Sequence, residues 1–330
     1  MRLDNMKERV FSGIQPSGDI HIGNYIGAIQ NWVKLLEDYD CIFCIVDYHA
    51  MTNRYDPSIL QQRILEAATV NIACGLDPNR CSIFVQSRII EHTELAWIFN
   101  CVTPYGELQR MTQFKEKSRN QKKNINVGLL NYPVLQAADI LIYKANVVPV
   151  GEDQIQHIEF SREIARKFNA TFGFTFPEPK AYIGRHKRLM GLDGKNKMSK
   201  SLNNYIGVLD DEKTVRDKLR SAFTDENRIK RTDPGNPEIC NMFTLCEVFS
   251  GLDETEEVKK SCLEGAIGCV DCKEKLHGNL MRHFSPIRER AKELFSKPKE
   301  VHDILEEGAI NCRKIAREVM GEVREKTGLR

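Results

Sequence analysis

At 330 residues, with 28% charged and 41% hydrophobic side chains and a formal net charge of +2, the chain has room for one large or two ordinary domains. The near-neutral balance gives no global signature of a nucleic-acid binder, so RNA contact has to come from local patches. No apolar run approaches the roughly 18 to 20 residues that span a bilayer, and no charged-then-apolar leader stands at the start, so a cytoplasmic protein with no membrane association is expected, its eleven cysteines reduced.

Val10 to Ile14, Cys41 to Val46 and Ser82 to Val85 are short apolar runs rich in β-branched and aromatic residues, and read as strands. Helical spacing fills the gaps, over Tyr25 to Leu36 and over Ile59 to Cys74 behind Asp56-Pro57. That rhythm predicts a parallel sheet wrapped by helices. Ligands of such sheets gather at the carboxyl ends of the strands, where the His21 segment and Asp47-Tyr48-His49 fall. Lys115 to Lys123 holds five positive and one negative side chain, a solvated face or a patch for RNA. Val147 to Val150 reads as another buried strand ending in a polar turn through Gln154, with a helix over Ile155 to Phe168. Residues 181–204 are rich in Gly, Lys and Asn and read as a mobile loop. From Asp210 helical spacing dominates: Glu212 to Ala222, Met242 to Phe249, Glu254 to Leu263, and Cys272 to Gly328 with breaks at Ser285-Pro286 and Lys297-Pro298. The predicted fold class is α/β, a Rossmann-like parallel sheet with flanking helices plus a C-terminal all-helical domain. Residues 1–190 form the catalytic part, 191–210 a linking loop and 211–330 the helical part.

Two strings carry the chemistry. His21-Ile22-Gly23-Asn24 sits where a strand ends and a helix begins, so freed backbone N–H groups, His21 and Asn24 offer donors to phosphate, and Gly23 lets a flat base approach. Lys197-Met198-Ser199-Lys200-Ser201 places two lysines around hydroxyls in the Gly-rich loop, which suits a triphosphate. Alone, the first reads equally as a helix cap and the second as a solvated loop. Together they point to activation of a carboxylate by ATP, a reaction whose nucleophile is already ionised at pH 7 and which needs positioning and charge stabilisation rather than a base.

The pair resembles the two signature motifs of class I aminoacyl-tRNA synthetases, with Asn24 departing from the usual final His of the first, as is common in the tryptophan-specific enzymes. Further strings resemble tryptophanyl-tRNA synthetases of the bacterial type: Phe11 to Gly18, Tyr105 to Lys115, Tyr132 to Leu141 and Val148 to Gln154. The resemblance implies that Asp139 accepts the indole N–H, that Phe11, Gly13, Tyr132, Val148 and Val150 form the slot around the ring, and that Gln15 and Gln154 hold the ammonium and carboxylate. It places His49 near substrate or ATP and Gln136 on the pocket wall where some members have Met. For ATP it implies His21, Asn24, Lys197 and Lys200 as catalytic groups, with Gln15, Ser17, Gly23, Gly151, Asp153, Met190, Met198, Ser199 and Ser201 as contacts. Mg²⁺ is expected on the phosphates. The implied activity is ligation of L-tryptophan to tRNA(Trp) by a homodimer. Read without the resemblance, Asp139 is a helix N-cap for Asp139 to Tyr143 and His49 a structural histidine.

Cys240, Cys262, Cys269 and Cys272 are separated by 21, 6 and 2 residues, so three thiolates could converge on a metal, with Cys240 or Cys246 as the fourth. The quartet resembles one that holds a [4Fe–4S] cluster in a subset of the bacterial enzymes; zinc suits the same donors, and free thiols in helices are the plain alternative. Two rival functions stand beside the ligase: a tyrosine-specific synthetase, and a non-catalytic metal-containing protein that binds RNA through its helical part.

Overall fold

The computed structural model describes residues 7–16, 18–115, 125–184 and 189–329. The strands are β1 (Arg9–Ile14), β2 (Asp40–Ile45), β3 (Cys81–Val85), β4 (Val147–Pro149) and β5 (Lys180–Tyr182). The helices of eight or more residues are α1 (Pro57–Ala73), α2 (Glu91–Val102), α3 (Val127–Leu141), α4 (Ile155–Phe172), α5 (Glu212–Ser221), α6 (Asn241–Phe249), α7 (Leu252–Leu263), α8 (Cys269–Ser296) and α9 (Pro298–Thr327). Two compact units result, one of Met1–Gly18, Ala28–Arg185 and Leu294–Arg330, the other of Asp19–Gly27 and His186–Glu293.

The first unit is a Rossmann-like sheet in the order β3-β2-β1-β4-β5, every pair parallel. Parallel strands covered on both faces should read as unbroken apolar runs, and β2 does so, with Cys41 to Ile45 all buried. The chain leaves β1 for β2 and β3, then returns to place β4 on the other side of β1. The carboxyl ends of β1 and β4 therefore flank a switch point, where ligands of open α/β sheets bind. Gly13 and Gln15 stand at the first of these ends, Val150 and Gly151 at the second. β5, three residues long with Lys180 exposed, carries too little pattern to be read from sequence. Local chemistry starts the helices: Asp56 accepts from the Ser58 N–H at 2.9 Å with Pro57 at the first position of α1, and Asn126 accepts from the Leu129 N–H at 2.8 Å to begin α3.

The last helix, α9, returns to this unit and packs on β3 through the buried Ala309, Cys312, Ala316 and Met320. Gly308 makes that approach close, since a methyl there would stand 2.1 Å from the Ile83 carbonyl oxygen. Arg317 with Glu91 and Arg324 with Glu94 tie α9 to α2, half-exposed pairs worth little beside the apolar contact.

The second unit holds α5, α6, α7 and most of α8, matching the helical reading from Asp210 onward. One boundary differs: α8 runs unbroken through Pro286, where a break is predicted. The proline removes one N–H, but Leu280 and Phe284 before it and Ala291 after it are buried on one helix, and packing holds the backbone through the lost bond. The break at Lys297-Pro298 is present, with Pro298 opening α9.

Gly308→Ala should lower stability by about 3 kcal/mol through overpacking against the β3 backbone. Gly321→Ala, on the same helix with nothing within 4 Å, should be neutral or stabilising by up to about 1 kcal/mol. Urea unfolding of both variants checks this, and equal effects would contradict the close approach at Gly308.

Candidate active site

In the first unit the polar centre is a buried carboxylate. Asp139 lies within α3, two residues before its end, and is 1% exposed. It is thus an interior helical residue and not the N-cap that a local reading assigns. Oδ2 stands 2.7 Å from His49 Nε2; Oδ1 accepts from Gln86 Nε2 at 2.7 Å and stands 2.6 Å from His92 Nδ1. Burial opposes ionisation of this carboxyl, yet the hydrogen bonds and charges of His49 and His92 hold it below the ordinary carboxylate range. Four segments supply the group: the helical turn Asp47–Ala50 after β2, the turn after β3, α2 and α3.

Apolar and aromatic side chains enclose it. Phe11 of β1 stacks on Tyr143 with centroids 5.5 Å apart, Val148 of β4 belongs to the same core, and Val150 packs against that core half-buried. Tyr132, one helical stretch before Asp139, meets His49 edge-on at 6.4 Å. The predicted slot residues Phe11, Tyr132 and Val148 are therefore brought to one core with Asp139 and His49. Gly13 is exposed at the end of β1, and Gln15, Gln136 and Gln154 are half-buried; Gln154 Nε2 donates to Asp153 at 3.3 Å. Beside Tyr132 opens a cavity of about 350 Å³, walled also by Tyr48, Met51, Trp97 and Asn131.

In the second unit the two signature strings meet. His21 and Asn24 cap each other: Asn24 N–H donates to His21 Nδ1 at 3.2 Å and His21 N–H to Asn24 Oδ1 at 3.3 Å. An imidazole that accepts at Nδ1 keeps its proton at Nε2, which is then its one donor. Burial first, then the charges of Lys200 and Lys197, lowers its pKa from 6.5 to about 4, so His21 is neutral at pH 7. The chain after the lysine loop runs alongside: Ile22 N–H donates to the Ile206 carbonyl and Val208 N–H to that of Ile20, both at 2.9 Å. A methyl at Gly23 would lie 3.0 Å from the His21 ring and 3.5 Å from Met198 Sδ, so the backbone face there is open only to glycine.

The lysine loop, predicted to be mobile, is folded on its own side chains. Asp193 accepts from the Lys195 and Asn196 N–H groups and from the amides of Asn196 and Asn204; Ser199 N–H donates to Asn204 Oδ1 at 2.7 Å; Met190 pairs with Lys197. Met198 is buried beneath it, while Lys197 and Ser201 face outward and Ser199 and Lys200 are half-buried. Gly151 and Asp153 are exposed after β4. Ser17, and the basic stretch Lys115 to Lys123 beyond Lys115, lie outside the described residues.

All eleven cysteines are free, and among the described residues no group of three or more His, Cys, Asp or Glu side chains is placed to hold a metal ion. Burial raises the Cys240 and Cys262 thiols, and each also feels Cys269 and Cys272; Cys246 and Cys272 act on each other more strongly, which with burial pushes the Cys246 thiol up and holds Cys272 down. Arg228 Nη1 lies 3.8 Å from Cys269 Sγ.

Sequence reasoning missed three members of the Asp139 group, Gln86, His92 and Tyr143. Gln86 follows β3 directly, so the rule that sites lie at strand ends could have found it. His92 sits between acidic and hydroxyl neighbours on α2 and carries no such signal.

The NMR titration of His21 should show a midpoint near pH 4, and one near 6.5 would contradict its burial beside the two lysines. Because this pKa is depressed on folding, its contribution to stability is complete above about pH 6.5 and is lost as pH falls toward 4.

Residues 3–285 match a family profile described as tRNA synthetases class I (W and Y). The tryptophan–tRNA ligase of Deinococcus radiodurans is 52% identical, over 97% of this chain and 98% of its own length; that of Wolinella succinogenes is 43% identical over 98% and 99%. The crystal structure of tryptophanyl-tRNA synthetase from Campylobacter jejuni, complexed with ADP and tryptophan, superposes with a TM-score of 0.89 at 39% identity, covering 97% of this chain and 99% of that one. Identity of this extent, over a parallel sheet with both signature strings in place, shows that the chain belongs to the bacterial-type tryptophanyl-tRNA synthetases, class I aminoacyl-tRNA ligases.

Proposed function

We propose that the carboxylate of L-tryptophan attacks the α-phosphorus of ATP, that the bond to the β-phosphate breaks with pyrophosphate leaving, and that the adenylate then passes tryptophan to tRNA(Trp). The observation that carries this is the meeting of the two signature strings, with Lys197 and Lys200 close enough to His21 to depress its pKa. His21 Nε2–H, the Asn24 amide and the two lysines stabilise charge on the phosphates, a task for fixed donors rather than for a base. Gln15, Ser17, Gly23, Gly151, Asp153, Met190, Met198, Ser199 and Ser201 complete the nucleotide contacts. The loop's carboxylate, Asp193, is taken up by four donors, so the loop suits phosphate and leaves Mg²⁺ to travel on the nucleotide, where it neutralises charge.

Asp139 takes the indole N–H in the slot of Phe11, Gly13, Tyr132, Gln136, Val148 and Val150, with His49 on the same carboxylate oxygen and Gln15 and Gln154 on the amino-acid end. Indole nitrogen only donates, so a carboxylate among apolar walls suits it, and phenylalanine would leave that acceptor unpaired. A homodimer belongs to the same proposal: Trp97 and Met51, which line the cavity beside Tyr132, are 70% and 48% exposed, and Tyr105 is 63% exposed, apolar surface that a second copy would cover. So does a cytoplasmic location, supported by the free state of all eleven cysteines. For the thiols we propose [4Fe–4S] ligation by Cys240, Cys262, Cys269 and Cys272, with zinc as the other metal, on their donor chemistry and on the mutual electrostatic influence of the four.

ATP–pyrophosphate exchange should occur with tryptophan and with no other amino acid. Lys200→Ala should lower its kcat by roughly 100-fold while moving the KM for tryptophan little, and equal losses in both would withdraw the role of Lys200. On anaerobically purified protein, about four iron and four acid-labile sulfide per chain would support the cluster, zinc alone would replace it, and neither metal would remove it. Sedimentation of the same preparation as a monomer would remove the dimer.

A further inference from the structure

The polar group around Asp139 reaches deeper than substrate binding requires. His92 and Tyr143 are fully buried, with His92 Nδ1 2.6 Å from Asp139 Oδ1 and Nε2 2.7 Å from the Tyr143 hydroxyl. Tyr143 is packed face to face with Phe11, so its hydroxyl is held in place by the slot's own wall.

We infer that His92, fixed by Tyr143, is a positioning residue that sets the specificity of the site: it locks the Asp139 carboxylate so that Oδ2 takes the indole N–H, and so helps to reject amino acids without that donor. The inference deepens the reading of Asp139 as the indole's acceptor and rests on it.

The hydrogen-bond inventory supports this orientation. The Asp139 carboxylate only accepts, so His92 Nδ1 carries a proton and donates to it, while the Tyr143 hydroxyl holds the ring's other nitrogen at 2.7 Å. Gln86 is oriented as well, because its Oε1 accepts the Tyr48 N–H at 3.1 Å, which turns Nε2 toward Asp139. Oδ1 thus receives two donors, His92 and Gln86, and has no lone pair to spare. Oδ2 receives His49 alone and keeps one acceptor site. Without His92, Oδ1 loses a donor and the carboxylate is free to turn, so the indole N–H competes with internal rearrangement.

The test is kcat/KM in ATP–pyrophosphate exchange for tryptophan and for β-(benzothiophen-3-yl)alanine, which keeps the bicyclic shape with sulfur in place of N–H. Wild type should prefer tryptophan by about 100-fold or more. His92→Leu should cut that ratio by about 10-fold through tryptophan alone, and His92→Asn, whose amide N–H replaces Nδ1–H, should restore most of it. Tyr143→Phe, nearly isosteric, should also lower the ratio, and it carries the test should the leucine variant fail to fold. Equal losses for both substrates in His92→Leu, or an unchanged ratio in Tyr143→Phe, would make the group a structural one and overturn the inference. A wild-type ratio near one would instead remove the role of Asp139 itself, and with it this inference.

Discussion

A carboxylate kept charged inside an apolar core is the constraint on which the first unit turns. An ion in such surroundings is strongly disfavoured unless hydrogen-bonded, and Asp139 has its donors from His49, Gln86 and His92. Each donor comes from a different segment, so α2, α3 and the carboxyl ends of β2 and β3 must all be in place before the charge is tolerated. The parallel sheet makes this possible, because it brings its strand ends to one edge. On the proposed role of Asp139, specificity and folding share the same atoms, which are among the most buried polar groups described.

The second unit solves a different problem with backbone rather than burial. The phosphate recognition proposed for this unit needs donors at fixed places, and short-range hydrogen bonds fix His21, Asn24 and the lysine loop. His21 is neutral because burial, and after it the charges of Lys200 and Lys197, disfavour its protonation. In the proposed reaction the lysines would bring the positive charge and the imidazole an uncharged donor.

Much of this was legible in the chain. β1 to β4, α1 and α4 to α7 follow from apolar periodicity, since a buried strand and an amphipathic helix each impose a spacing on their residues. The strings at His21 and Lys197 were legible because phosphate chemistry restricts the residue types that serve it. Pro286 misled because local propensity favours a break that helix packing on both sides overrides.

By itself the sequence determined the alternation of strands and helices, the places where charge and glycine gather, and, through its strings, the family. Only tertiary structure decided that α9 returns to cover β3, that Asp139 is an interior helical residue, and that His92 and Tyr143 stand behind it. The physical reason is range. Propensity, capping and periodicity act over a few residues, whereas α9 meets β3 across more than two hundred positions and Asp139 meets its partners across tens, contacts that no local pattern encodes.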